Sequence, residues 1–176
     1  NVHNVKVDEF NPQREVNYIS TMLETLYDDN WGMLLSDKIE LLNVITGKGE
    51  KLSKQFDVEN PFTTGEAYEI KSILSSNIEF TGKFKFINTG TIDPFISLWG
   101  KKLMTYIKDR YEYPVVRKSV FKTKFPKRYL QACRPKLIIT GMRYFESFLD
   151  VSGDFIAGKS TIMIFSRTDD VDELYY

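Results

Sequence analysis

The chain has 176 residues, 42% hydrophobic and 14% aromatic, with 24 basic against 24 acidic side chains, one His and one Cys. That length and apolar content suit a globular domain with a real core and exclude intrinsic disorder, and no apolar run approaches the ~20 residues of a membrane span. His3 and Cys133, alone of their kinds, exclude an internal disulfide, a zinc site of the usual composition, and a Ser-His-Asp or Cys-His catalytic set drawn from this chain.

The lone thiol fits a reducing, cytoplasmic setting, and the polar stretch Asn1 to Glu15, of mixed charge, is no secretory leader. Gln13 to Asp28 reads as a helix with Val16, Ile19, Leu23 and Leu26 on one face. Ser36 or Asp37 caps a second helix that turns Ile39, Leu42 and Ile45 inward and stops near Gly47, ahead of a surface turn through Glu50. Thr63 and Glu66 have the spacing of a capping box, which predicts a short helix burying Ala67, Ile70 and Leu74. Phe80, Phe84 and Phe86 alternate with polar residues around Gly82 and predict a strand. Asn88-Thr89-Gly90-Thr91 is a turn.

Ile96, Trp99, Leu103 and Ile107 form a further helical stripe up to about Arg110, with Trp99 expected in the core beside Leu103 and Ile107. Gly100 costs such a helix ~1 kcal/mol against Ala, so a neighbour is expected to pack close there. Pro114, Pro126 and Pro135 punctuate a stretch expected as loop or edge structure. Beyond it, Leu137-Ile138-Ile139, Arg143 to Asp150 and Thr161 to Ser166 read as strands. Helices first and strands later predict an α+β fold of mixed, mostly antiparallel small sheets with flanking helices. Its organisation is expected to be one domain, with a helical part over 1–77 and an α+β region over 78–176. Asp172 to Tyr176 looks like the opening turn of a helix, as if the chain were cut from a longer protein.

Gly153 to Ser160, GDFIAGKS, satisfies the phosphate-loop pattern G-x-x-x-x-G-K-[ST]. A working phosphate loop follows a buried strand and opens a helix, whose N-terminal amides hold the phosphates. Here Thr161-Ile162-Met163-Ile164-Phe165 favours a strand instead. The expected structure is a β-hairpin around Asp150 to Asp154, followed by a bend at Ala157-Gly158, with Lys159 outward as a spare cation. A nucleotide-binding protein working through Gly153 to Ser160 is the enzyme alternative.

The zero net charge hides a division. Lys101 to Arg143 holds thirteen Lys or Arg against Asp109 and Glu112 alone, a surplus of eleven positive charges that the rest of the chain balances. Such asymmetry points to a polyanionic partner. Within it, Arg117 to Tyr129 interleaves six cations (Arg117, Lys118, Lys122, Lys124, Lys127 and Arg128) with three aromatics. Cations that neutralise phosphates release counterions and drive affinity without reading sequence. The alternatives are a solvated basic face, or a scaffold face that docks on protein, including an acidic domain of the same parent.

Two resemblances add to this. Asn60-Pro61-Phe62 is similar to the N-P-P-[YF] loop of methyltransferases acting on the exocyclic amine of adenine, but lacks one proline, and a turn before a helix is the reading adopted. Thr89-Gly90-Thr91-Ile92-Asp93 before a Trp99-Gly100 helix, Arg134 to Ile139 opening a strand, the Asp150 to Gly153 turn and Ala157-Gly158-Lys159-Ser160-Thr161 together resemble the TaqI-like C-terminal specificity domain. The similarity covers about residues 78 to 166, with weaker agreement back to about Trp31.

That family is the target recognition domain of adenine-specific DNA methyltransferases and fused restriction-modification enzymes. The resemblance implies a non-catalytic module that grips double-stranded DNA beside a catalytic methyltransferase domain of the same parent chain. S-adenosylmethionine would belong to that other domain, with no cofactor or metal here and no membrane partner. From charge and loop position, the candidate DNA contacts are Asn88, Thr91, Arg117, Lys118, Lys122, Lys124, Lys127, Arg128, Arg143, Tyr144 and Lys159.

Overall fold

The computed structural model describes residues 4–10, 16–22, 39–141, 145–168 and 170–174. The chain forms two compact units, Asn1–Lys51 and Leu52–Tyr176.

In the first unit, β1 (Asn4–Phe10) pairs antiparallel with β2 (Val16–Met22) from Asn4↔Met22 to Phe10↔Val16. This corrects the helix expected over Gln13 to Asp28, whose remaining residues lie outside those described. Val16, Tyr18, Ile19 and Thr21 are strand formers, and once β1 offers a ladder, pairing outweighs a weak helical spacing. The second helix, α1 (Ile39–Lys48), is present and closes with the Gly49 N–H donating to the Ile45 carbonyl at 2.8 Å. Ile45, expected inward, is exposed, as are Leu41 and Val44. Ser36, Asp37 and the side chains of Ile39 and Leu42 lie outside the described residues.

The second unit is layered. One sheet has the order β13 (Phe155–Ala157), β5 (Lys83–Ile87), β10 (Pro114–Arg117), β4 (Ser75–Ser76). The other has the order β12 (Ser147–Asp150), β11 (Lys136–Thr140), β14 (Thr161–Phe165), β3 (Asp57–Glu59). Every pairing in the two sheets is antiparallel except β13 with β5, so the α+β expectation holds, with no closed barrel among the described residues.

Strand alternation builds the layers. Phe84, Phe86, Val116 and Ile156 leave the first sheet on one face and meet Ala67, Ile70 and Phe121 from the helices and Phe62 and Phe125 from the segments beside them. On its other face Ile87 and Ala157 meet Ile138, Phe148, Met163 and Phe165 of the second sheet. The far side of the second sheet packs Ile139 and Ile164 on Leu174. The helical residues Thr64–Ile73 and the later strands therefore share one core.

The helical stripe over Ile96 to Arg110 is overturned. Two small hairpins stand there: β6 (Ile92–Asp93) with β7 (Ile96–Ser97), and β8 (Met104–Tyr106) with β9 (Asp109–Tyr111). Positive φ at Phe95, Ile107 and Lys108 turns them. Gly100 does have a close neighbour, but in a turn: its φ is +70°, and a Cβ there would meet the Tyr113 ring at 2.9 Å. Trp99 is half-buried, stacked edge-to-face on Phe80 and Tyr113, with its indole N–H donating to the Pro114 carbonyl at 2.8 Å. Leu103, its expected core partner, is exposed.

Candidate nucleic-acid interface

The basic stretch folds as helices, not as a loop. Strand β10 runs into α3 (Lys118–Lys124), and α4 (Pro126–Cys133) follows after Phe125. Pro126 occupies the first turn of α4, where a missing N–H costs nothing and the fixed φ suits the helix. Pro114 likewise opens its strand, beside the short edge strand β4. The prolines thus mark element starts. Phe121 and Phe125 anchor the helix pair, packed edge-to-face on Phe62 and tilted on each other. Tyr129 packs edge-to-face on Phe84.

The cations of this pair divide into two groups. Arg128 is turned inward: its Nε and Nη2 donate to the Glu66 carboxylate, the latter at 2.8 Å, and its Nη1 to the Asn60 carbonyl and Gln131. Glu66 in turn accepts from the Thr63 N–H at 2.7 Å and completes the predicted capping box of α2 (Thr64–Glu69). The Arg128 hydrogen bonds hold the Glu66 carboxyl well down, from 4.5 to about 2. Lys124 donates to the Ser72 hydroxyl at 2.9 Å. Lys118 reaches Asp154 at 3.4 Å and lies over the Phe84 ring. Arg117, Lys122 and Lys127 are exposed, Lys122 with its ammonium 5.5 Å from the Tyr129 ring centre.

The remaining candidates lie elsewhere. Thr91 is 1% exposed, and its hydroxyl donates to the Asn88 carbonyl and accepts the Asn88 N–H. It closes a turn and does not face a ligand. Asn88 caps the same turn through Gly90 and donates to the Thr105 carbonyl at 2.9 Å. Lys159 is exposed as expected, and its ammonium spends one of its three donors on the Thr64 hydroxyl. Asn88 and Lys159 meet on one cavity, away from the exposed cations of the helix pair. Arg143 and Tyr144 lie outside the described residues.

Around the phosphate-loop pattern, β14 follows Ser160 as predicted, where a phosphate loop would open a helix. The expected hairpin is corrected: β12 belongs to one sheet and β13 to the other, so the Asp150 to Asp154 turn carries the chain between sheets. Gly153 serves that crossing. Its φ is +63°, and a Cβ would overlap the Cys133 carbonyl at the end of α4. Asp150 secures the turn by accepting the N–H groups of Asp154 at 3.0 Å and Phe155 at 3.1 Å.

Sequence reasoning missed the role of Lys136. It opens an apolar strand, is 0% exposed, and donates to Asp150 at 2.5 Å and to the Ala132 carbonyl at 2.8 Å. Burial lowers its pKa, against the opposing pull of Asp150. The signal lay in the register, since Lys136 stands directly across from Asp150 in the β11–β12 ladder. Counted among the basic surplus, Lys136 belongs to the core.

No protein-family model matches this sequence, and no curated protein matches it. Among the described residues, no helix is long and apolar enough to cross a membrane.

Proposed function

We propose that this chain is a DNA-recognition module that grips duplex DNA so that a separate methyltransferase domain of the same parent can act on a flipped adenine. The carrying observation is the arrangement of α3 and α4. Their aromatic anchors and the Arg128–Glu66 ion pair seat both helices on the core, and Lys122 and Lys127 on them, with Arg117 at the end of β10, stay exposed. Cations on a rigid support neutralise phosphates without losing the ordering entropy of a free loop. Ser119 is exposed on α3 as well, and a hydroxyl of this kind adds a phosphate hydrogen bond, whereas the Thr123 hydroxyl donates to the Ser119 carbonyl at 3.1 Å.

Base reading is assigned to the segment holding Arg143 and Tyr144, because arginine is the side chain best shaped to grip a guanine edge in two places. Catalysis and S-adenosylmethionine belong, on this reading, to the partner domain. Duplex binding measured across a range of salt concentrations tests the grip.

A second reading, a docking scaffold for protein, is favoured by Leu130, 67% exposed on α4, and by Val120 on α3. Apolar side chains between cations suit a protein face better than a phosphate backbone. A salt response insensitive to the exposed cations selects this reading.

A further inference from the structure

The GKS turn, which the duplex grip does not use, forms one wall of a cavity of about 350 Å³. That volume lies in the about 300–1,000 Å³ range of small-molecule sites. Two turns meet to shape it. Gly158 lies so close to the 87–88 backbone that a Cβ would stand 3.0 Å from the Ile87 carbonyl oxygen and 3.3 Å from the Asn88 Cβ. Its N–H donates to that same carbonyl at 2.7 Å. This contact brings Lys159 and Ser160 to the cavity, with Lys159 hydrogen-bonded to Thr64 of α2, and Tyr68 of α2, Tyr106 of β8 and Asn88 line it as well.

The lining has two characters. Tyr68, 66% exposed, offers ring surface, and Tyr106, 9% exposed and packed on Phe86, borders the cavity from the core. The Tyr106 hydroxyl is spent on the Ala67 carbonyl at 2.6 Å, so this ring is fixed. The polar part of the lining is an ammonium and two hydroxyls, from Lys159, Thr64 and Ser160. The Lys159 ammonium has three donors, and Thr64 uses one. The two remaining Lys159 donors and the Thr64 hydroxyl put three donors in one place, which suits an anion with three acceptor oxygens better than a carboxylate with two; the Ser160 hydroxyl donates over a long 3.5 Å to Thr89, a weak bond that a phosphate oxygen can replace. Asn88 keeps one amide hydrogen and one carbonyl lone pair beyond its bonds to Thr105 and Gly90.

We infer that this cavity binds a single nucleotide unit, its base against Tyr68 and Tyr106 within reach of the Asn88 amide, and its phosphate on Lys159, Ser160 and Thr64. The unit comes either from a free mononucleotide or from an unpaired nucleotide projecting from a DNA strand. Neither source needs the helix-pair grip, so the inference goes beyond the proposed function. It is also not a phosphate loop. Only Lys159 and Ser160 of the pattern reach the site, and Gly153 is packed against Cys133.

Calorimetry on the 176-residue chain, with amide chemical shifts as the second readout, tests this using deoxyadenosine 5′-monophosphate, deoxyadenosine and inorganic phosphate. The monophosphate is expected to bind about tenfold or more tightly than the nucleoside or phosphate alone. Lys159→Met should bring the monophosphate down to the nucleoside's affinity and leave the nucleoside unchanged. Tyr68→Ala should weaken both about equally. Tyr68 and Lys159 are exposed, so neither change threatens the fold.

A duplex with one extrahelical adenine, compared with the fully paired duplex, separates the sources. A preference for the bulged duplex that Lys159→Met abolishes assigns the DNA source. Monophosphate binding without that preference assigns the free nucleotide. The inference is overturned if the monophosphate binds no tighter than inorganic phosphate, or if Lys159→Met leaves its affinity unchanged. Loss of paired-duplex binding in a variant of Arg117, Lys122 and Lys127, with monophosphate binding intact, reports on the helix-pair grip alone.

Discussion

Lys136 and Asp150 face each other across the β11–β12 ladder with 2.5 Å between ammonium and carboxylate and almost no exposure of either side chain. Removing one member of such a pair strands a buried charge, which costs about 3–5 kcal/mol. Lys136→Met should lose that much in urea unfolding. Adding Asp150→Asn should recover part of it, because an amide oxygen still accepts from the Asp154 or Phe155 N–H. A Lys136→Met protein within 1 kcal/mol of the parent would show that the pair does not hold the turn.

Glu66 should couple stability to acid. Its carboxyl is held down to about 2 by Arg128, against 4.5 when free. A depressed carboxylate contributes stability above its unfolded value, and that contribution disappears as pH falls from 4.5 toward 2. Glu66→Gln is expected to cost about 1–2 kcal/mol at neutral pH. The gap between variant and parent should narrow below pH 4.5 and close near pH 2 in denaturation series. A gap that does not change with pH would remove the ion pair from the account.

Gly153 separates structure from phosphate binding. Because a Cβ there overlaps the Cys133 carbonyl and φ is positive, Gly153→Ala should cost more than about 4 kcal/mol, or prevent folding in expression trials. If the variant folds with parental stability, the turn has room that the geometry denies it.

Trp99 should behave as a support and not as a base-stacking platform. Trp99→Phe keeps the ring contacts with Phe80 and Tyr113 but loses the hydrogen bond to the Pro114 carbonyl, worth about 1 kcal/mol in thermal or urea unfolding. In a Trp31→Phe background, the emission of Trp99 should not change when duplex DNA is added. Quenching by DNA would place the indole at the interface.

The helix-pair cations should act through salt. Replacing Arg117, Lys122 and Lys127 with Ala should weaken matched and scrambled duplexes about equally. It should flatten the slope of log K against log salt by roughly 3, near 0.9 for each lost contact. Arg128→Ala should leave that slope almost unchanged, because its guanidinium is paired with the Glu66 carboxylate. An unaltered slope in the triple variant would turn the basic face toward protein.

Local chemistry was legible in the sequence wherever a signal is complete within a few residues. The Thr63–Glu66 capping box, the Asn88–Thr91 turn, the alternation of Phe84 and Phe86, and the strand after Ser160 all depend on neighbours in the chain. The α+β class followed from their order. Tertiary contact decided the rest. Val16–Met22 is a strand because Asn4–Phe10 pairs with it, and two hairpins, Ile92–Ser97 and Met104–Tyr111, take the place of a helical stripe because left-handed residues turn the chain at Phe95, Ile107 and Lys108.

Charge was the least legible property. A run of cations looks uniform in sequence, but Arg128 and Lys136 are each drawn onto a carboxylate 62 and 14 positions away, while Arg117, Lys122 and Lys127 stay exposed. A formal charge is a property of one residue, whereas its availability depends on which carboxylate or carbonyl the fold brings within about 3 Å of it. For the same reason the GKS spacing showed which residues stand together, while the strand that follows and the 87–88 backbone beneath Gly158 determined that they line a cavity and not a helix end.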